Sequence, residues 1–266
     1  MTLKAAVLQY SPSDDKAANL ELIEKLVREA AGDGVRLAVL PEYAIFTVAT
    51  MDMRFVESAE TLDGPAVSLL KSLSAELGIA LVAGINEVAN ETHVYNTLVG
   101  IDEGEVKATY RKVHLYDAFG YKESDRVLAA DPGNGDVFKV DGFTVGMQTC
   151  YDLRFPETSR ALIDTGADVL ALPAEWVPGP LKEYHWNTLI RARAIENTVY
   201  VLAADQCAPH GAGQSAILDP MGIALAQVGE IQGIGSATLT QERLAAVRTT
   251  NPALSLRRYK VEVVDG

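Results

Sequence analysis

Residues 143–172 read FTVGMQTCYDLRFPETSRALIDTGADVLAL, and the order of elements in this stretch decides the fold class. Phe143 to Met147 is a short apolar run of the kind that forms a buried strand. Pro156 suits the first turn of a helix, where its missing amide hydrogen would have no intrahelical partner, and the helix is predicted to run to Asp164. Val169 to Leu172 is apolar again and reads as a second strand. Between the first strand and the helix stands Cys150. A cysteine on a strand-to-helix turn projects its sulfur into a cleft, and the adjacent backbone amides can receive an oxyanion. Taken alone, a cysteine is more often a small buried hydrophobe.

The same alternation extends in both directions. Leu3 to Gln9 reads as a buried strand. From Lys16 to Ala31 the apolar positions Leu20, Ile23, Val27 and Ala30 recur at three- and four-residue spacing, which makes one helix face. Asp14 or Asp15 can cap that helix by accepting from a free first-turn amide. Arg36 to Leu40 is a strand ending at Pro41, Pro65 to Leu77 a helix, and Ile79 to Ile85 a strand. Val94 to Ile101 and Glu105 to Tyr110 form a hairpin turning at Asp102-Glu103-Gly104. Downstream come a helix over Lys182 to Asn197, a strand over Val199 to Ala204, a hairpin around Asp219-Pro220-Met221-Gly222, a strand near Ser236 to Leu239 and a short helix from Gln241. Strands interleaved with crossover helices predict an α/β fold. Residues 115–137 are the longest stretch without period, and a loop of that length in a compact domain is usually functional.

A chain of 266 residues with 48% hydrophobic content can bury a full core, and residues 1–266 are expected to form one domain. The formal charge of −13 and pI near 4.8 argue against nucleic acid or an anionic membrane as partner, because phosphate contacts need clustered Lys and Arg. No apolar run approaches the roughly eighteen residues of a membrane span, and MTLKAAVLQYSPSDD reaches charge too soon for a signal peptide. The two cysteines, Cys150 and Cys207, do not make a secreted disulfide framework. The expected location is the cytosol, where a free thiol is available for chemistry.

Two further residues match what a thiol needs to cut an amide. Glu42 lies just after the strand VRLAVL, and a carboxylate at the carboxyl end of a buried strand faces the crevice where α/β proteins bind ligands. Lys112, in TYRKVHL, follows the second strand of the first hairpin. Each alone reads as an ordinary surface residue. Together with Cys150 they supply a nucleophile, a carboxylate to take the thiol proton and later activate water, and a fixed cation for the oxyanion.

The segments PEYAIF, YRKVHLYD and CYDLRFPE, in that order, resemble the three signature segments of the nitrilase superfamily. HWNTLIRARAIENTVYVLAADQ and GQSAILDPMG are similar to its downstream segments, so the resemblance covers nearly the whole chain. It implies a four-layer αββα sandwich, a Glu-Lys-Cys triad that works without cofactor or metal, a small-molecule amide as substrate, and subunits that pair through helices into a homodimer or higher oligomer. By the same resemblance Glu123, in YKESD, is the second glutamate that orients the substrate amide, and the Tyr151 amide is the second oxyanion donor. Cys-Tyr-Asp looks like the amidase branches rather than the nitrile-cleaving ones, and most like the branch holding deaminated-glutathione amidase and omega-amidase. The chain departs from that branch at LPAEWV, where Glu175, followed by Trp176, replaces a small or neutral residue in a segment that lines the substrate pocket. A pocket-facing Glu175 would repel a substrate carboxylate, unless Arg191 or Arg193 on the following helix holds it. Arg154 and Glu157 fit as ion-pair formers near the elbow.

Other readings are weaker. His114 and His185 could each pair with Cys150 in a Cys-His hydrolase, but both fit packing or supporting positions. The four histidines show no HxH or HExxH spacing, which argues against a metallohydrolase. An N-carbamoyl amidohydrolase of the same superfamily and a non-catalytic binding protein on the same fold remain as alternatives. GAGQ at 211–214 is too short for a phosphate-cradling loop and lacks its Lys-Ser/Thr, which argues against a glutamine-fed synthetase subunit.

Overall fold

The computed structural model describes residues 1–133 and 136–264. In chain order its elements are β1 (Thr2–Gln9), α1 (Lys16–Gly32), β2 (Leu37–Val39), α2 (Met53–Glu57), α3 (Pro65–Leu77), β3 (Ala80–Val88), β4 (Val94–Asp102), β5 (Glu105–Arg111), β6 (Val137–Val140), β7 (Phe143–Met147), α4 (Pro156–Asp164), β8 (Val169–Ala174), α5 (Lys182–Asn197), β9 (Tyr200–Asp205), β10 (Ala216–Leu218), β11 (Ala224–Gln227), β12 (Gly233–Thr240) and α6 (Gln241–Thr250). Short 3-10 turns stand at Glu123–Asp125 and Cys150–Arg154.

The strands form two six-stranded sheets, ordered β12-β1-β2-β3-β4-β5 and β11-β10-β9-β8-β7-β6. Each has a parallel centre, β1-β2-β3 in one and β7-β8-β9 in the other. Antiparallel neighbours flank both centres. Parallel strands are stable when both faces are covered, which is why these segments read as continuous apolar runs. In β1 the side chains of Ala5 and Val7 enter the core between the sheets, where they join Val145, Val169 and Leu202 of the second sheet. Ala6 and Leu8 turn the other way and meet Ile23 and Val27 of α1 with Val67 and Leu70 of α3. On the far side α4 and α5 cover the second sheet through Leu162, Trp186, Ile190 and Ala194. The layering is helix, sheet, sheet, helix, the αββα sandwich that the signature segments implied.

Local chemistry sets the element ends. The Asp15 carboxylate accepts from the Ala18 amide at 3.0 Å, a cap that stabilises α1 by about 1 kcal/mol. Pro65 and Pro156 open α3 and α4, and Gly78 closes α3 in the left-handed region, where a missing Cβ removes the steric penalty. Glu103 and Gly104, both at positive φ, make the two-residue turn between β4 and β5. Two elements were not anticipated. Helix α2 has only five residues, too few for a period, and is started by Asp52 accepting from the Arg54 amide. Strand β6 is a four-residue edge strand that directly follows the aperiodic loop. No helix among the described residues is long and apolar enough to cross a membrane.

Candidate active site

Four side chains remote in sequence meet at one end of the sandwich. Glu42 follows β2, Lys112 follows β5, Cys150 follows β7, and Glu123 sits on the 3-10 turn within the long loop. All four line one cleft with Tyr43, Met51, Tyr116, Tyr121, Glu175 and Val177. The Lys112 ammonium donates to Glu42 Oε1 and Glu123 Oε2, each at 2.9 Å, and all three side chains are buried. Burial alone would push the Lys112 ammonium down, but the charges of Glu123 and Glu42 outweigh it and raise its pKa well above the usual lysine range. Lys112 is therefore a fixed cation at neutral pH and cannot serve as the base.

Cys150 occupies the left-handed region at φ +44°, a strained conformation for a residue with a Cβ. The strain is held by the elbow's own bonds. Asp152, fully buried, accepts from the Thr149 amide at 3.1 Å and the Tyr110 hydroxyl at 2.6 Å. Its other oxygen meets the His114 amide at 3.2 Å and His114 Nδ1 at 2.8 Å. Asp152 thus ties the Cys150 turn to both flanks of Lys112, which sets the distance between nucleophile and cation. The Cys150 thiol donates to the Glu175 carbonyl at 3.5 Å. Burial, with the nearby Glu42 charge, pushes its pKa well above the ordinary thiol range despite Lys112. The resting sulfur is a thiol that needs a base.

Glu42 is the carboxylate beside that thiol, and its surroundings fix it. Oε1 accepts from Asn96 Nδ2 at 2.7 Å and from Lys112; Oε2 accepts from the Glu175 amide at 2.7 Å. The Glu42 carbonyl accepts from Gln206 Nε2 at 2.8 Å. Glu123 is held by the Tyr43 hydroxyl and the Tyr116 amide, both at 2.6 Å. A larger groove of about 800 Å³ lies elsewhere, lined by residues that include Thr109, His114, Phe155 and Val263. None of the four converging groups lines it, so chemistry and not size locates the site.

Comparison with known proteins identifies the family. The carbon-nitrogen hydrolase family profile matches residues 4–249. The chain belongs to the carbon-nitrogen hydrolase family. It is 41% identical over 254 residues to the deaminated glutathione amidase of Escherichia coli O157:H7, covering 94% of this chain and 95% of that one. It is 34% identical over 271 residues to the human deaminated glutathione amidase, covering 95% and 81%. Among solved structures, Saccharomyces cerevisiae Nit3, of branch 10 of the nitrilase superfamily, superposes with a TM-score of 0.86 at 29% identity over 97% of each chain. An amidase from Nesterenkonia sp. AN1 in complex with acrylamide superposes with a TM-score of 0.83 at 27% identity over 96% of this chain and 94% of that one.

In this carbon-nitrogen hydrolase the remaining sequence candidates fall into different places. Glu175 lines the cleft, and its carboxyl accepts from Thr47 Oγ1 at 3.0 Å and Gln206 Nε2 at 3.3 Å. Arg193 is engaged by Glu196 and the Leu153 carbonyl, and Arg191 by Asn187, so neither holds Glu175. Trp176 does not line the cleft. It is buried behind it, with its Nε1 on the Lys182 carbonyl at 2.7 Å. The Tyr151 ring also lies off the cleft, against Tyr116 and Phe155, which leaves its backbone amide as the group beside Cys150. Ion pairing of Arg154 and Glu157 is not found among the described residues. Arg154 lies over the rings of Trp176, Phe119 and Tyr151, 4.8 to 5.8 Å from their centroids, where aromatic quadrupoles take the place of a carboxylate. Lys182 likewise packs on Tyr116, Phe119 and Trp176 and donates to the Tyr116 hydroxyl at 3.1 Å.

The hydrolase also depends on a position with no side chain. A Cβ at Gly84 would lie 2.7 Å from the Tyr43 nitrogen and 2.8 Å from Glu42 Cα, and backbone cannot swing aside as a flexible side chain can. Gly84→Ala is expected to lower kcat/KM by about a hundredfold through displacement of Glu42. Kinetics on the purified, folded variant check this, and an unchanged rate would show that Glu42 tolerates the shift.

Proposed function

We propose that this protein hydrolyses the carboxamide of a small molecule to an acid and ammonia through a thioester on Cys150. The observation that carries the reading is the convergence of Cys150, Glu42, Lys112 and Glu123 in one cleft, with the Lys112 ammonium bonded to both carboxylates. Glu42 takes the thiol proton as sulfur attacks the carbonyl carbon, and the oxyanion that forms is met by the Lys112 ammonium and the Tyr151 amide. Collapse of that intermediate breaks the carbon-nitrogen bond; ammonia leaves with the proton from Glu42. Water then attacks the thioester, Glu42 takes its proton, and the acid departs as the thiol re-forms. Glu123 fixes the Lys112 ammonium and orients the substrate amide. The names of the relatives support an amide over a nitrile. The cycle needs a reduced thiol, which fits a cytosolic setting.

Ammonia release from a panel of short amides and carbamoyl compounds tests the reading. Release from amides is expected, while release from carbamoyl compounds alone would favour the carbamoyl alternative.

The same reading includes pairing of subunits. Ile195 of α5 is exposed together with Met221, Ile223 and Leu225 of the neighbouring hairpin, and apolar side chains gathered on one surface favour association. Light scattering at micromolar concentration is expected to give at least twice the chain mass of 28.6 kDa. A mass equal to one chain would contradict it.

A further inference from the structure

The charge balance of the cleft points to what the substrate carries beside its amide. The lining includes three carboxyl groups, Glu42, Glu123 and Glu175, and one ammonium, Lys112. That ammonium is committed to Glu42 and Glu123. Glu175 is left with two neutral donors, Thr47 and Gln206, and among the described residues no Lys, Arg or His nitrogen comes within 4.0 Å of it. A carboxyl group that borders a substrate cleft and lacks a cation is a place for a cation to bind.

Resting on the amide-hydrolase reading above, we infer that Glu175 is a specificity residue that selects amides bearing an ammonium group a few bonds from the carboxamide. The neighbours of Glu175 are consistent with that role. Glu42 at the end of β2, Glu123 on its turn and Asp205 at the end of β9 surround it with negative or acidic groups, and Lys112 is the cation among them. The Tyr121 phenol is also near, raised by burial and then by the Glu175 charge. An anion placed here would meet carboxylates, whereas a cation would be drawn to them. Lys182 and Arg154, on the Tyr116 side, are the opposing field, and an anionic probe measures it.

Protonation gives the preference a sign. Burial, then the Glu42 charge, raise the Glu175 carboxyl to about 8, although the Thr47 hydroxyl opposes them. In the empty enzyme near neutral pH the group is therefore largely protonated, and a bound cation favours its ionised form. The advantage of a cationic substrate should accordingly grow as pH rises through about 8.

The test uses three amides of similar length: 3-aminopropanamide as the cation, butanamide as the neutral analogue and succinamate as the anion. Their kcat/KM values are compared at about pH 7 and about pH 8.5, a range in which the amine stays mostly protonated. The cation is expected to exceed butanamide by at least about tenfold at the higher pH, and by less at the lower one. Glu175→Gln should collapse this ratio, whatever it does to the common rate, because the main-chain hold of residue 175 on Glu42 serves all three substrates alike. A wild-type preference for butanamide or succinamate would overturn the assignment while leaving the amidase reading intact, as would a ratio that survives Glu175→Gln. Hydrolysis of none of the three would overturn the amidase reading and this assignment with it.

Discussion

Cys150→Ala is expected to lower kcat/KM for any amide substrate by on the order of 10⁴-fold or more, with the fold retained. The size follows from the role, since removing a covalent nucleophile deletes the reaction path and leaves only the binding and oxyanion contacts. The fold should survive because the change removes one sulfur from a nearly enclosed site whose turn is held by Asp152, Thr149 and Tyr110, not by the thiol. Cys150→Ser should be nearly as inactive, because a hydroxyl is a poorer nucleophile for the same base. Initial rates of ammonia release together with the thermal midpoint check both variants. Appreciable turnover in the alanine variant would remove Cys150 from the mechanism.

Lys112→Met is the second large effect, and it has two separable parts. Loss of one preorganised oxyanion donor costs about 10²- to 10³-fold in kcat. The same change leaves two buried carboxylates without their cation, and breaking a buried pair in this way destabilises by about 3–5 kcal/mol. The double variant Lys112→Met/Glu123→Gln removes one of the stranded charges, so it should recover part of the stability and none of the rate. Denaturant unfolding and kinetics on the single and double variants distinguish the two. Recovery of activity with stability would mean that Lys112 only holds the fold together.

Much of this site was legible in the sequence because its chemistry sits at strand ends. Glu42 and Cys150 each follow an apolar strand and Lys112 follows the second strand of a hairpin, and in an α/β sandwich such strand-end positions converge on one crevice. The helices expected over 65–77 and 182–197 form with those bounds. Other contributors come from remote strands, in the same sheet or across the two, and leave no spacing to find. Asn96, on β4, reaches Glu42 from two strands away in the same sheet, and its signal in the sequence is only a buried-type strand interrupted by an amide. Gln206 and Asp152 bridge segments more than thirty residues apart. Arg154 shows the opposite failure: a charged residue beside the elbow suggested an ion pair, whereas its partners are aromatic rings from residues 119, 151 and 176. The orientation of Glu175 was open until Arg191 and Arg193 were seen to be engaged elsewhere.

The thioester itself is the centre of the account, and intact-protein mass spectrometry observes it directly. A slowly turned-over amide is mixed with the enzyme, quenched in acid and followed by peptide mapping. The expected result is a mass increase equal to the acyl group, without the amide nitrogen, confined to the peptide that contains Cys150. Sustained turnover with no adduct under conditions where deacylation is slow, or an adduct on Cys207 instead, would contradict it.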